Sequence, residues 1–276
     1  MRLAAERHVD FSIVERYLHI SPQGMDNPLV RIPGAQLLEE ATMRRLLSQG
    51  QTMLKGKGLD IAASHMGLTM FNVISMMYLF MAQYNLWLSL LPEDLEFQIE
   101  QHDDHAHAGF QLLALRWKEV PLVDRAAFIE QEMRTLMQTL VIPVINVTAA
   151  SAKVNPSMIW NQFGARMVFL RDFVLENDPR PHVREQFVHD YEVLSKQLTP
   201  DVFERKTNPF DHEPTYLSSP YEEGKRVILR SSCCFYYRRE NGEKCFTCPL
   251  LNNEQREQMR EDITRQRTAA SEATAG

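Results

Sequence analysis

The fold is decided by one apolar stretch of sequence, MGLTMFNVISMMYLFMAQYNLWLSLL at residues 66–91. It lies in a longer segment, residues 61–92, that contains no Asp, Glu, Lys or Arg. A membrane span is one interpretation, because about 20 consecutive apolar residues cross a bilayer. However, polar residues recur every turn or two, namely Thr69, Asn72, Ser75, Gln83, Asn85 and Ser89, and lipid would penalise them. We therefore expect a buried central helix or helix pair with methionines as adaptable core filler, and at most peripheral membrane association.

Amphipathic helices are predicted on both sides of this segment. One covers residues 36–54 and ends at Lys55-Gly-Lys-Gly58, and another starts at Asp124 as N-cap and stops near Pro143. A third follows Pro156, and a fourth covers residues 182–198 between two prolines.

The remaining segments add little regular structure. Residues 95–117 suit a short β-hairpin about as well as a helix, and four prolines make residues 199–223 loop-like. A β-like run at residues 227–229 precedes a tight turn at Asn241-Gly242. Together these patterns predict a predominantly α fold, α+β at most.

Composition limits the class of protein. The chain has 276 residues, 44% hydrophobic and 24% charged, as in an ordinary globular protein. Its net charge of −6 argues against a nucleic-acid partner that requires a global positive field. Charged residues interrupt any apolar core of an export signal in the first twenty residues, so we expect a cytoplasmic protein.

Four cysteines point to a chemistry. Cys233, Cys234, Cys245 and Cys248 lie within sixteen residues in the spacing Cys-Cys-x10-Cys-x2-Cys. In a reducing compartment such a cluster indicates metal binding or redox work, and four thiolates suit zinc or an iron-sulfur cluster. Adjacent side chains on an extended strand point to opposite faces and reach one ion poorly. A cluster with two iron centres relaxes that demand, so the spacing favours iron-sulfur over zinc and leaves both open.

The charge around the cysteines is also unusual. Residues 225–248 contain six basic and two acidic side chains, a net +4, which leaves −10 for the remainder of the chain. Cations near an anionic cluster favour its reduced, more negative state and attract an anionic donor or ligand.

The cysteine spacing, preceded by a hydrophobic-Leu-Arg run, resembles the C-terminal signature of the ferric siderophore reductase family (FhuF-like). Two upstream pieces are also similar to that family: Ile159-Trp160 followed by Gly164, and Asn208-Pro209. Family members often place Asn two positions after the Trp, where this chain has Gln162 beside Asn161. Residues 1–58 carry no motif of the family.

The resemblance implies an oxidoreductase of iron transport, with a [2Fe-2S] cluster bound by the four cysteines. It implies one-electron reduction of siderophore-bound Fe(III), the siderophore being of the hydroxamate type, and release of Fe(II). Hard oxygen donors hold Fe(III) better than Fe(II), so one electron loosens the complex. The sequence lacks a phosphate-binding glycine loop and a dinucleotide fingerprint, so we expect the electron to come from a partner protein or a reductant.

Candidate substrate contacts are the cations near the cysteines and one upstream aromatic residue: Arg226, Arg230, Arg238, Arg239, Lys244 and Trp160. Tyr236 and Tyr237 could also form an apolar wall. We interpret His102, His105 and His107 as exposed residues beside a turn, because a metal tract would need further ligands at suitable spacing. Two other functions stay open: a zinc-stapled binding module, and an iron-sulfur redox sensor or electron carrier with a different acceptor.

These patterns predict three parts. Residues 1–222 form a mainly helical substrate-docking domain, residues 223–251 a cluster-binding module, and residues 252–276 a polar C-terminal tail. Its end, TAASEATAG at residues 268–276, should fray.

Overall fold

The computed structural model describes residues 9–102 and 105–275. The protein is 56% helical and 14% strand, which confirms the predominantly α prediction. Its centre is α3, the 26-residue helix Leu59–Tyr84. Asn85 ends this helix in the left-handed conformation, with φ of 57°, and its N–H bonds back to the carbonyl of Met81.

Helix α3 is buried along most of its length, as the uncharged sequence predicted. It packs against α2 (Glu40–Met53), α5 (Ile142–Ala152) and α8 (Pro181–Glu192). By length and composition, α3 and the continuous helix Arg125–Ala152 could each cross a membrane. In α3, however, 89% of the apolar window is buried inside the protein, as expected for a core helix.

The predicted helix stop near Pro143 is wrong. Helix α4 (Arg125–Leu136) passes through a π-helical turn, Met137–Val141, directly into α5. Pro143 lies in the first turn of α5, where proline's missing N–H is tolerated because the helical register has just changed. Asp124 does precede the helix, but with φ of 56° and without a side-chain capping bond.

The β-structure is small and mostly antiparallel. Four strands form the main sheet in the order β1-β5-β4-β2; their bounds are Ile20–Ser21 for β1, Val30–Pro33 for β2, Leu95–His102 for β4 and His105–Leu112 for β5. Two further pairs are β3 (Leu86–Ser89) with β6 (Arg116–Glu119), and β7 (Tyr216–Ser218) with β8 (Arg226–Ile228). The β4–β5 pair confirms the hairpin interpretation of residues 95–117.

The predicted histidine tract lies at the tip of that hairpin. His105 is exposed, and the ring of His107 stacks on His19 at 4.1 Å between centroids. Residues 103 and 104, between the strands, lie outside the described residues.

The remaining helices are α1 (Ser12–Leu18), α6 (Ser157–Trp160), α7 (Phe163–Asn177) and α9 (Asn253–Ala275). A π-helical turn, Val193–Gln197, extends α8 to the predicted end of that helix. The polar C-terminal tail is helical, since α9 covers residues 253–275. The segment is rich in good helix formers, and Arg260 and Arg267 donate to the carbonyls of Ser218 and Pro220, both at 2.9 Å.

Candidate metal centre

The four cysteines, 233, 234, 245 and 248, line one cavity of about 340 Å³. This volume is at the small end of the range for ligand pockets, about 300–1,000 Å³. Cys248 is 5% exposed, and the other three thiols are half-buried. Folding therefore brings together thiols that are ten residues apart in sequence.

The cavity has walls from three parts of the chain. Helix α3 contributes Ser64, His65 and Leu68, and α7 contributes Arg166. The cysteine segment, which we define as residues 223–251, contributes the rest: Arg230, the four cysteines, Tyr236, Tyr237, Glu243, Lys244 and Pro249.

Local backbone turns present the sulfur atoms. The N–H of Cys248 donates to the carbonyl of Cys245 at 2.9 Å, which closes the turn between them. After the adjacent pair, Phe235 takes the left-handed conformation with φ of 60°. Its N–H donates to Sγ of Cys233 at 3.3 Å. An N–H directed at sulfur favours the thiolate that a metal requires.

The donor set fits a cluster with two metal centres. Burial is the main cause that raises the pKa of the Cys233 thiol, and the neighbouring thiols of Cys248 and Cys234 add to it. A bound cation would reverse this, since metals bind the thiolate. Over residues 9–102 and 105–275, no three His, Cys, Asp or Glu side chains are arranged to hold a single metal ion. Four cysteine sulfurs around one cavity supply the ligand number of a [2Fe-2S] cluster, which is also that of a tetrahedral zinc.

A β-bridge attaches the cysteine segment to the helical body. The N–H of Lys57 donates to the carbonyl of Arg238 at 2.9 Å, and the N–H of Glu240 donates to the carbonyl of Lys55 at 2.7 Å. Arg238 also forms an ion pair with Asp60, whose side chain is 8% exposed. The loop predicted to end a helix at residues 55–58 thus also positions the metal site.

Helix α9 holds the segment from the other side. The Arg256 guanidinium donates to the carbonyls of Phe246, Cys248 and Leu251, the last two at 3.0 and 3.2 Å. The Phe246 ring is 1% exposed and lies 5.0 Å from the Arg260 guanidinium. The C-terminal helix is therefore part of the structure around Cys248.

The two upstream pieces of the family resemblance pack against each other behind the cavity. At Gly164 a Cβ would lie 3.1 Å from the carbonyl oxygen of Pro209 and 2.6 Å from Cβ of His212. The next residue, Ala165, donates its N–H to Ser231 Oγ at 3.3 Å. Glycine at 164 therefore lets residues 208–212 approach the start of α7, directly beside the cysteine segment.

Gln162, which departs from the family pattern, contacts the cavity wall. Its Nε2 donates to Ser64 Oγ at 3.1 Å, whereas the neighbouring Asn161 is exposed. Ser64 lines the cavity. Gln162 is thus the polar residue of this segment that connects α7 to the site.

The predicted substrate contacts separate into three groups. Arg230 and Lys244 line the cavity. Arg226 and Arg239 lie over the rings of Tyr216 and Tyr236, at 4.6 and 4.9 Å from the ring centroids. Arg238 is paired with Asp60, while Trp160 is 2% exposed in the core with its ring 5.1 Å from that of Phe163.

Among the residues that sequence reasoning missed, two titratable side chains come into the cavity from α3 and α7, His65 and Arg166. Burial, with Arg230 nearby, lowers the pKa of Arg166 to about 10, so it stays charged at neutral pH. Burial, with Arg166 and Arg239, lowers the pKa of His65 to about 4, so it is neutral there. The available signals were the position of Arg166 two residues after Gly164, and His65 as the one histidine in the uncharged segment 61–92.

Comparison with known families agrees with this geometry. The family model "FhuF 2Fe-2S C-terminal domain" matches residues 230–250, which contain all four cysteines. No curated protein matches the chain. The matched segment indicates a [2Fe-2S] cluster, as predicted. Residues 230–250 are thus similar to an FhuF-type [2Fe-2S] C-terminal domain, which confirms the resemblance of this chain to the ferric siderophore reductases.

Proposed function

We propose that this protein is a cytoplasmic ferric-siderophore reductase that reduces siderophore-bound Fe(III) and releases Fe(II). One observation carries the proposal: the four cysteines of an FhuF-type domain line one cavity. That cavity reaches the surface at Tyr236, which is 47% exposed.

The electron balance is simple. When bound by the four thiolates, a [2Fe-2S] cluster supplies one-electron transfer. One electron enters from a donor protein or a reductant, and one leaves to Fe(III). The siderophore keeps its covalent bonds, and the Fe(II) product dissociates because hard oxygen ligands hold it less tightly.

Side chains at the cavity wall suit a hydroxamate ligand. The rings of Tyr236 and Tyr237 offer apolar contact for the hydrocarbon links between hydroxamate groups. The ammonium of Lys244 lies 6.0 Å from the Tyr237 ring centroid, where it can donate hydrogen bonds to ligand oxygens. Leu68 and the neutral His65 exclude water from the inner wall.

The first experiment is anaerobic purification with visible absorption, electron paramagnetic resonance and metal analysis. We expect a coloured protein with two irons and an electron paramagnetic resonance signal on one-electron reduction. A colourless protein with one zinc would refute the reductase and support the zinc-stapled module.

The second experiment mixes the reduced protein with ferric siderophores, both hydroxamate and other types. We expect reoxidation of the protein and appearance of Fe(II) with the hydroxamate complexes. The matching gallium complexes, which bind in the same shape and accept no electron, are the control and should leave the protein reduced. If no ferric complex reoxidises it, the protein is a redox sensor or a carrier for another acceptor.

Location in the cell needs its own measurement. We expect the protein in the soluble cytoplasmic fraction, because α3 is buried inside the fold rather than free for lipid. Recovery in a membrane fraction that salt does not release would contradict this part of the proposal.

A further inference from the structure

Arg166 is a half-buried cation without a counter-ion in the described part of the chain. It projects from α7 into the cavity that the four cysteines line. Among residues 9–102 and 105–275, no hydrogen bond or ion pair involves its guanidinium. By contrast, the buried Arg125 pairs with Asp190 through two contacts of 2.7 and 2.6 Å.

The surroundings of Arg166 do not supply the missing negative charge. Arg230, on the same cavity, is a second cation, and its repulsion lowers the pKa of Arg166 together with burial. His65 is neutral, and Lys244 adds a further positive charge. The acidic residue on this wall, Glu243, is exposed, so water screens it.

Two cations on one half-buried wall repel each other, and an anion between them would relieve that repulsion. Here the cavity wall itself contains four thiols that become thiolates when a cluster binds. A cluster with four thiolate ligands is anionic and gains one more negative charge on reduction. The two guanidinium groups therefore face the place where that charge appears.

We propose that Arg166, together with Arg230, is a positioning residue that stabilises the reduced state of the cluster and so raises its midpoint potential. The inference rests on the cluster and not on the proposed siderophore substrate. Its test is therefore informative even if no siderophore is reduced.

The experiment measures the midpoint potential of the holoprotein and of Arg166→Gln by redox titration followed by visible absorption. Removing the charge should make reduction about tenfold less favourable, which for one electron is a shift of about 59 mV to lower potential. Arg166→Lys should retain most of the wild-type potential. The control is Arg171→Gln, on the same helix, whose guanidinium is paired with Asp172 at 2.7 Å and does not line the cavity; it should leave the potential unchanged.

A potential of Arg166→Gln equal to that of Arg171→Gln would overturn the proposal. So would an unchanged potential with a raised KM for a ferric siderophore, because the cation would then serve the substrate. If Arg166→Gln fails to hold a cluster, Arg230→Gln provides the same measurement. An unchanged potential in that variant overturns the proposal as well.

Discussion

Replacing Arg256 by alanine tests whether α9 keeps the cysteine segment closed. The guanidinium donates to three backbone carbonyls around the turn that ends at Cys248, and it lies 5.9 Å from the Phe246 ring. A hydrogen bond from a charged group contributes about 1.5–3 kcal/mol when it is buried. Because Arg256 is half-buried and water can replace part of each bond, we expect the three together to contribute about 2 kcal/mol.

The assay is cluster loss to an iron chelator under anaerobic conditions, followed by visible absorbance. If the chelator reaches the irons only when the segment opens locally, the rate follows the population of the open state. A loss of about 2 kcal/mol then makes release about 30-fold faster. The control is Arg265→Ala on the same helix: its side chain is 74% exposed, it contacts Asp262 at 3.6 Å, and such surface pairs contribute little.

Equal release rates for the two variants would refute the reasoning. The segment would then be held closed by its contacts with α3 and α7 rather than by α9. Arg256→Lys separates charge from geometry, since one ammonium cannot reach all three carbonyls. Full rescue by lysine would show that charge alone holds the turn.

Three further predictions follow from the structure. Gly67→Ala places a Cβ 2.3 Å from Ile159 Cγ2, so urea unfolding should show a loss of about 1–3 kcal/mol. Gly50→Ala, with ordinary space at 3.4 Å, should be neutral or stabilising. The pKa of His65 is about 4 in the fold and 6.5 in the unfolded chain. In a cluster-free Cys248→Ser background, the free energy of unfolding should therefore fall as the pH drops from 6.5 towards 4, by at most about 3 kcal/mol. The substitution His65→Gln should reduce that fall. Cys248→Ser itself should abolish the stable cluster while the helical circular dichroism persists, because the main core lies outside the cysteine segment.

Each of these predictions has an outcome that would contradict it. Equal stability of the Gly67 and Gly50 variants would mean that α6 moves freely away from α3. The same pH dependence with and without the His65 imidazole would assign acid sensitivity to other groups. Complete unfolding of the Cys248 variant would show that the metal site holds the whole fold together.

The four candidate metal ligands could be proposed from sequence because all of them lie within sixteen residues. The cavity walls could not, since Ser64 and Arg166 come from helices far away in the chain. Proximity of this kind depends on how α3 and α7 pack, and spacing along the chain does not report it. Arg166 in particular reads as an ordinary cation of an amphipathic helix until its burial is known.

The helix predictions also succeeded where nearby sequence decides the structure and failed where contacts between distant segments decide it. The central helix could be predicted because a long uncharged, apolar segment is unfavourable in contact with water and is therefore buried. Pro143 was misread because a π-helical turn accommodates it. The helix in the polar tail was not predicted, because its arginines bond to carbonyls in another segment.

The charge at the metal site also differs from the +4 counted along residues 225–248. Arg238 is paired with Asp60, and three more of the six cations, Arg226, Arg239 and Lys244, lie over tyrosine rings. Of those six, Arg230 and Lys244 line the cavity, and Arg166 joins them from outside the segment. The potential at the cysteines is therefore set by which cations folding leaves unpaired there. A count of charge along residues 225–248 therefore predicts positive charge near the cysteines but does not identify Arg166. The removal of Arg166 should shift the midpoint potential of the cluster most directly.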